Sequence, residues 1–195
     1  MTTGFVRHRR SKRAIATLTV FEADLLRSLA GQLVELLHNE SAVAAVDADP
    51  LEALLDFSGP TTAPSDPVLA RLFPDAYRED DESAGEFRRY TESALRDSKS
   101  QAAASIIDVL EDAGLPDDPT DDDITIDVEL EPQTALVWLR SLTDLRLALG
   151  TRLEIEDGQE DFWDSLPEDD PRAATYSVYE WLGFLQETLV RSLER

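Results

Sequence analysis

The fold is decided by the stretch Leu139-Arg-Ser-Leu-Thr-Asp-Leu-Arg-Leu-Ala-Leu-Gly-Thr-Arg-Leu153, whose leucines recur at the spacing of one helix face. At about 100° per residue, this stretch forms an amphipathic helix whose apolar stripe consists of Trp138, Leu139, Leu142, Leu145, Leu149 and Leu153. Arg146 lies inside this stripe rather than opposite it. Because a guanidinium keeps its charge among apolar neighbours, we expect a carboxylate, backbone carbonyl groups or a bound anion beside Arg146.

Glu22 is a candidate partner for Arg146. The sequence Thr19-Val-Phe-Glu22 has the form of a capping box at the start of a helix. Glu22 also lies on the apolar stripe of that helix, which is formed by Leu25, Leu26, Leu29, Leu33, Leu36 and Leu37. Two interpretations are open: Glu22 completes the capping box, or it forms a buried ion pair with Arg146, for which Glu180 is another candidate partner. Arg146 and Arg152 together also form a candidate anion site.

Periodicity along the chain indicates the remaining elements. Apolar residues alternate with polar ones from Ile124 to Leu130, which predicts a strand, and weaker alternation at 4–9 and 13–18 predicts an N-terminal hairpin. We predict further helices at Pro50–Phe57, Pro67–Phe73, 81–113, Pro132–Leu153 and from Pro171 to near Leu193, with loops at 58–66 and 114–123. The predicted fold class is mainly α (α+β): a compact helical bundle with a small antiparallel sheet, formed by the hairpin and one later strand, in a single domain spanning 1–195.

The charge of the chain is unevenly distributed. The net charge is −23, whereas residues 1–13 contain five cations and no acidic residue: Arg7, Arg9, Arg10, Lys12 and Arg13. An acidic body repels DNA, because duplex binding depends on neutralising phosphates. Only this basic arm is therefore a candidate nucleic-acid site. The alternative is that its cations pair with the acidic body or form a solvated hairpin.

The last predicted helix has two apolar sides. One side consists of Val178, Leu182, Leu185, Leu189 and Leu193, and the other of Tyr176, Trp181 and Phe184. A helix with two apolar sides is either central in the fold or presents its aromatic side to a partner protein or to a second copy of the chain in a homodimer.

Three arginines, Arg88, Arg89 and Arg96, lie along the predicted 81–113 helix. Arginine forks suit phosphate, so these residues and Arg152 are a further candidate anion site. In so acidic a chain, the alternative is that each of them pairs with a nearby carboxylate.

The composition excludes several classes of function. The chain has no cysteine and only two histidines, His8 and His38, which excludes disulfides, thiol chemistry, cysteine zinc sites and iron–sulfur clusters. No apolar run approaches the roughly eighteen residues that cross a bilayer, so we expect a cytoplasmic protein without a membrane partner. Because the chain contains no phosphate loop, dinucleotide fingerprint, nucleophile elbow or histidine metal motif, we expect neither a cofactor nor enzymatic activity.

Four phrases resemble an actinobacterial family of domains of unknown function, which is also described as the AosR family of oxidative stress transcriptional regulators. These phrases are Glu86-Phe-Arg-Arg89, Leu142-Thr-Asp-Leu-Arg-Leu-Ala-Leu-Gly-Thr-Arg-Leu153, Asp170-Pro-Arg-Ala173 and Tyr179-Glu-Trp-Leu-Gly-Phe-Leu-Gln-Glu-Thr-Leu-Val190. The resemblance implies a regulator that acts with an alternative sigma factor through protein contacts and senses redox state through cysteines. This chain departs from that pattern because it has no cysteine to oxidise.

Together, these observations predict a non-enzymatic, cytoplasmic regulatory protein that acts in transcription through protein–protein contacts. The resemblance implies a sigma factor or RNA polymerase as the partner, whose basic surfaces would suit an acidic body. Two other functions stay open: a DNA-binding regulator that uses the basic arm, and a small-molecule or anion-binding module centred on Arg146.

Overall fold

The computed structural model describes residues 3–46, 59–119, 124–167 and 169–194. Within these ranges, the strands are β1 (Thr3–Arg7), β2 (Ala14–Thr19) and β3 (Thr125–Leu130). The helices are α1 (Val20–Val46), α2 (Pro67–Leu72), α3 (Asp81–Asp112), α4 (Pro132–Leu153), α5 (Glu160–Asp164) and α6 (Pro171–Leu193). The predicted fold class is confirmed, since a mostly helical chain carries a small antiparallel sheet.

The sheet has the strand order β1-β2-β3, and both pairs of neighbouring strands are antiparallel. The alternation that predicted β3 reflects its burial, because Ile126, Val128 and Leu130 face the core while the residues between them are exposed. In the hairpin, the His8 N–H donates to the Arg13 carbonyl at 2.8 Å, which closes a loop between β1 and β2. β1 begins one residue and ends two residues earlier than predicted, and β2 begins and ends one residue later.

The core lies between the inner face of the sheet and the apolar faces of the long helices. α1 packs along α3, and α4 packs along α6, against α3 and against α2. The Trp138 side chain is fully buried, and Phe5 meets it edge to face with ring centroids 6.0 Å apart. Leu142 of α4 and Leu185 of α6 are also fully buried, and burying each such leucine stabilises the fold by about 1.5–3 kcal/mol. The stripe that decided the prediction therefore faces the core.

The extent of α3 and the segments on either side of it can be compared with the predicted helices and loops. α3 is a single helix that is N-capped by Asp80, and the chain turns after Ala113 at Gly114, whose φ is 91°. The helix predicted at Pro50–Phe57 lies outside the described residues, as do position 58 of the first predicted loop and 120–123 of the second. Within the described ranges, no helix has the length and apolar character needed to span a membrane.

Candidate functional site

Arg146 lies half-buried between α4 and α6 and is held by two neutral groups. Its Nη1 donates to Gln186 Oε1 at 2.9 Å, and its guanidinium carbon lies 4.7 Å from the centre of the Tyr179 ring. Gly183 makes room for it, because a Cβ atom at that position would lie only 3.3 Å from Arg146 Cζ. An amide oxygen and the electron-rich face of an aromatic ring thus replace the carboxylate that the sequence led us to expect.

Of the two interpretations left open for Glu22, the capping box is observed and the ion pair with Arg146 does not form. The Glu22 carboxylate accepts from the Thr19 N–H at 2.8 Å, and the Glu22 N–H donates to Thr19 Oγ1 at 3.2 Å, which completes the capping box. Within the described ranges, no carboxylate lies within 4 Å of the Arg146 guanidinium, so Glu180 is not its partner either. The local bonds to Thr19 prevail because they satisfy the Glu22 carboxylate near the positive end of the helix dipole and require no approach by a second helix.

Arg152 has a structural partner outside the surroundings of Arg146. Its Nη2 lies 2.7 Å from Asp66, and Asp66 also caps α2 by accepting from the first N–H groups of that helix. Burial acts to raise the pKa of Asp66, but the hydrogen bonds from Arg152 and from these N–H groups outweigh it and lower the pKa. Arg152 therefore joins α4 to α2, and it does not line the cleft at Arg146.

A cleft of about 660 Å³ opens beside Arg146 and Tyr179. Two arginines, Arg71 and Arg146, line the cleft together with three acidic residues: Glu154, Glu156 and Asp157. The Arg146 Nε–H is buried and has no hydrogen-bond partner among the described residues. With more carboxylates than cations in its walls, the cleft does not favour a multiply charged anion.

Two arginines of α3, Arg88 and Arg96, each pair with a nearby carboxylate, which was one of the two alternatives from the sequence, but their burial as a cluster was not predicted. Arg88, Glu92 and Arg96 follow one another at intervals of four residues on α3, and their exposed fractions are only 5%, 2% and 8%. Glu92 lies between the two arginines, and its Oε2 accepts from Arg88 Nη1. Its Oε1 accepts from Arg96 Nη2 at 2.6 Å and from Arg96 Nε at 2.9 Å. We call these three residues the buried triad. Their spacing, with charges of alternating sign on one helix face, was the signal in the sequence that could have revealed it.

The buried triad connects α3 to two other parts of the chain. Arg88 Nη2 donates to the Phe73 carbonyl at 3.0 Å and to Asp75 at 2.7 Å. Burial acts to lower the pKa of Arg88, but its bonds to the Asp75 and Glu92 carboxylates outweigh that effect and raise the pKa. Arg96 Nη1 donates to the Leu37 carbonyl at 3.2 Å, and its guanidinium carbon lies 4.7 Å from the centre of the Phe73 ring. Because Arg88 and Arg96 are occupied in this way, they do not form the predicted anion site with Arg152. Arg89, the third arginine proposed for that site, is exposed and lies against Tyr90.

The basic arm is folded into the hairpin, and two of its cations are paired with the body. Arg13 bonds Glu129 at 2.9 Å and Glu131 at 2.6 Å, and these hydrogen bonds raise its pKa. Arg7 Nη1 donates to the Glu194 carbonyl at 3.1 Å. The other three cations, Arg9, Arg10 and Lys12, are exposed at the tip of the hairpin.

The aromatic side of α6 is divided among different surroundings. Tyr176 stacks between Trp163 and Tyr179, with ring centroids 5.2 and 6.1 Å away. Burial raises the pKa of Tyr176 to about 12, and the Glu180 and Asp164 carboxylates add to this effect. Trp181 packs half-buried against the core, whereas Phe184 is 41% exposed. Of the three residues predicted as an interface, Phe184 therefore presents the most open surface.

The outer face of the sheet is open and acidic at its β3 side. Thr125, Asp127 and Glu129 are exposed, in register with Thr19, Thr17 and Ile15 of β2. The Thr17 hydroxyl donates to Asp127 at 2.7 Å, which fixes the position of that carboxylate. The sheet thus covers the core with one face and presents carboxylates to solvent with the other.

These features define an acidic α+β domain whose buried cations on α3 are neutralised internally and whose outer sheet face carries negative charge. The chain belongs to the family described as "Domain of unknown function (DUF2017)", which matches residues 2–193.

The chain is also similar to several regulators from mycobacteria. It is 35% identical over 200 residues to the oxidative stress regulators AosR of Mycobacterium bovis and Mycobacterium tuberculosis, a match that covers 95% of this chain and 84% of each relative. It is 32% identical over 186 residues to the putative oxidative stress regulator AosR of Mycobacterium leprae, with 88% of this chain and 78% of the relative covered. No solved structure gives a significant match. The predicted family membership is thereby confirmed.

Proposed function

We propose that this protein is a non-enzymatic regulator that acts in transcription by binding a basic surface of a sigma factor or of RNA polymerase. Two findings support the proposal: the relatives are named oxidative stress regulators, and the net charge is −23. The observation that carries it is the charge balance of the cluster on α3. Arg88 and Arg96 form ion pairs with Glu92 and Asp75, so these four residues have no net charge and the net charge of −23 is carried by the rest of the chain.

In this proposal the protein has no redox switch of its own. The chain contains no cysteine, and a cysteine thiolate is the group that peroxide oxidises in thiol-based sensors. A response to oxidative stress would then originate in the partner or in the amount of this protein. Electrostatic complementarity would give the complex a fast association rate and a marked dependence on salt.

Affinity capture tests the proposal. The immobilised protein is incubated with a nuclease-treated mycobacterial extract, and bound proteins are eluted with rising salt and identified by mass spectrometry. We expect polymerase subunits or a sigma factor to be enriched over a column that carries an unrelated protein of similar net charge. Equal recovery from both columns, or recovery only without nuclease treatment, would contradict the proposal.

The exposed cations at the hairpin tip favour a second candidate function, direct DNA binding. Its test is a gel shift with duplex DNA, comparing the wild-type protein with a variant in which Arg9, Arg10 and Lys12 are replaced by glutamine. If the arm binds DNA, affinity falls steeply with salt and is lost in the variant. Under the protein-contact proposal, neither form binds duplex DNA at physiological salt.

The buried Nε–H of Arg146, which has no partner among the described residues, favours a third candidate: a module that binds a neutral or singly charged small molecule in this cleft. A thermal screen with small amides, alcohols and monocarboxylates tests it, because a ligand that binds only the folded state raises the melting temperature; phosphates and nucleotides are the compounds expected to give no rise. If a compound raises the melting temperature by binding at this site, the increase should be lost in the Arg146→Met variant. No rise with any of the small amides, alcohols or monocarboxylates would refute it.

A further inference from the structure

We propose that the outer edge of β3 is a docking site where an extended, basic segment of another protein pairs with the sheet as a fourth strand. This inference deepens the proposed function and rests on it, because it assigns a position and a binding mode to the contact with a basic partner.

The backbone of β3 points half of its polar groups away from the sheet. The Val20 N–H donates to the Ile124 carbonyl at 3.0 Å, and the register continues through Leu18↔Ile126. In an antiparallel pair, directly opposed residues alternate between those that exchange backbone hydrogen bonds and those that do not. Ile126, Val128 and Leu130 therefore bond β2. The N–H and C=O groups of Thr125, Asp127 and Glu129 face outward.

The two edges of the sheet differ in how they are covered. α6 packs along β1, where the Phe5 N–H donates to Thr188 Oγ1 at 3.1 Å. The helices that pack most closely on β3 are α1 and α4, which share the core with its buried residues. Within the described ranges, the outward N–H groups of Thr125, Asp127 and Glu129 have no hydrogen-bond partner. Among the described residues the edge of β3 is therefore uncovered, which suits addition of a fourth strand, the mode of recognition known as β-augmentation.

The side chains along this edge indicate what kind of strand fits. Asp127 and Glu129 project from the outer face next to the position that an added strand would occupy. Cross-strand pairs of opposite charge are stabilising and pairs of like charge are destabilising, so the incoming strand requires lysine or arginine on that face. Arg13 already bonds Glu129 from the β2 side in this manner, at 2.9 Å. Residues between the cations would face the inner side of the sheet and would be apolar or small.

A second copy of the chain does not fit the edge. Antiparallel pairing of two β3 strands would place Asp127 opposite Asp127 or Glu129 of the other copy, which brings like charges together. The two chains, each with a net charge of −23, would also repel each other at a distance. Charge complementarity thus selects a basic segment of a different protein.

The test uses a fluorescent octapeptide of alternating lysine and valine and a control of the same composition in the order Lys-Lys-Val-Val, repeated. Anisotropy measures the binding of each peptide to the full-length protein. Amide hydrogen exchange shows which N–H groups the peptide protects. We expect the alternating peptide to bind more tightly than its control and to slow exchange at Thr125, Asp127 and Glu129.

Two variants separate backbone pairing from charge. Asp127→Pro removes one outward N–H but no bond to β2, and proline is tolerated at such edge positions. Its reference is Asp127→Asn, which loses the same carboxylate charge but keeps the N–H. We expect Asp127→Pro to bind the alternating peptide about tenfold more weakly than Asp127→Asn does, the effect of one lost hydrogen bond. The double variant Asp127→Asn with Glu129→Gln removes the charge, and its matched control is Asp108→Asn with Glu111→Gln on the exposed face of α3. Binding should weaken in the first double variant and stay near the wild-type value in the second.

Each outcome bears on the docking site. Equal binding of the two peptides, or absence of amide protection along β3, would overturn it, as would failure of both peptides to bind. If Asp127→Pro does not fold, the exchange data and the two charge variants still decide. The affinity-capture experiment distinguishes a failure of the β3 docking site from a failure of the proposed function. A partner retained equally by the wild type and by Asp127→Pro refutes the edge alone, whereas no transcription protein retained by the wild type refutes the proposed function.

Discussion

Replacing Glu92 by glutamine should destabilise the fold more than the corresponding amide substitution at any other acidic residue of α3. Glu92 is 2% exposed and lies between Arg88 and Arg96, which it bonds through both carboxylate oxygens. Glutamine keeps the shape of the side chain but removes its charge. The two guanidinium groups then stay buried without the anion between them.

The magnitude follows from the partners that the arginines keep. Removing one member of a buried ion pair destabilises a protein by about 3–5 kcal/mol. Arg88 retains Asp75 and the Phe73 carbonyl, and Arg96 retains the Leu37 carbonyl. We therefore expect the lower end of that range, about 3 kcal/mol. This is a large part of the roughly 5–15 kcal/mol that stabilises a typical domain.

Urea unfolding followed by tryptophan fluorescence and circular dichroism measures the effect, since urea leaves the ionic strength unchanged. The matched control is Asp97→Asn, an exposed position on the same helix, which removes the same charge and should change stability by less than about 0.5 kcal/mol. Equal unfolding midpoints for Glu92→Gln and Asp97→Asn would show that Glu92 does not stabilise the two buried arginines. Replacing all three residues of the buried triad by methionine or leucine should be far less harmful than Glu92→Gln, because no unpaired charge then stays in the core.

Three further predictions concern other contacts. Arg146→Ala should cost about 1–2 kcal/mol, the sum of one hydrogen bond and one cation–π contact, and Arg140→Ala much less; equal melting temperatures would contradict this. The pKa of Asp170 is about 2 because Arg172 bonds it, so this carboxylate stabilises the fold above about pH 4 and the effect is lost as the pH falls through about 2. Asp170→Asn should flatten the loss of stability over that interval, and an unchanged acid profile would count against the Asp170–Arg172 contact. In an ultraviolet titration, the wild type should show a tyrosine ionisation near pH 12 that Tyr176→Phe lacks. Identical titration curves for the two proteins would show that this ionisation does not belong to Tyr176.

Strand β3 was predictable because its pattern has a direct physical cause. Ile126, Val128 and Leu130 are buried while the residues between them are exposed, so burial on one face of a strand imposes the period of two that the sequence displays. Which edge of the sheet stays open was not predictable. That depends on α6 packing along β1, a contact between segments about 180 residues apart in the chain.

The surroundings of Arg146 were predictable only in part. Its place in an apolar stripe correctly indicated that it would not be freely solvated, but the general rule of pairing a buried cation with an acid pointed to Glu22. The real partners, Gln186 and Tyr179, are uncharged, and the contact depends on Gly183 leaving space for the guanidinium. Nothing in a periodicity analysis of one helix reports which neutral groups of another helix will face it.

The buried triad was missed for a different reason. α3 is rich in charged residues, so its pattern resembles a solvated helix face near Glu92. Burial there comes from the segment around Phe73 and from the carbonyl of Leu37, which belong to other parts of the chain. The spacing of the charges was visible in the sequence, whereas the packing that removes them from water was not.

The central claim, that this protein binds the transcription machinery through its acidic surface, is tested most directly with purified components. Binding of the full-length protein to reconstituted actinobacterial RNA polymerase core, and separately to its sigma factors, is measured without DNA over a range of salt concentrations. We expect saturable binding to at least one of them, with an affinity that falls as salt rises. An absence of binding to core enzyme and to every sigma factor at low salt would contradict it.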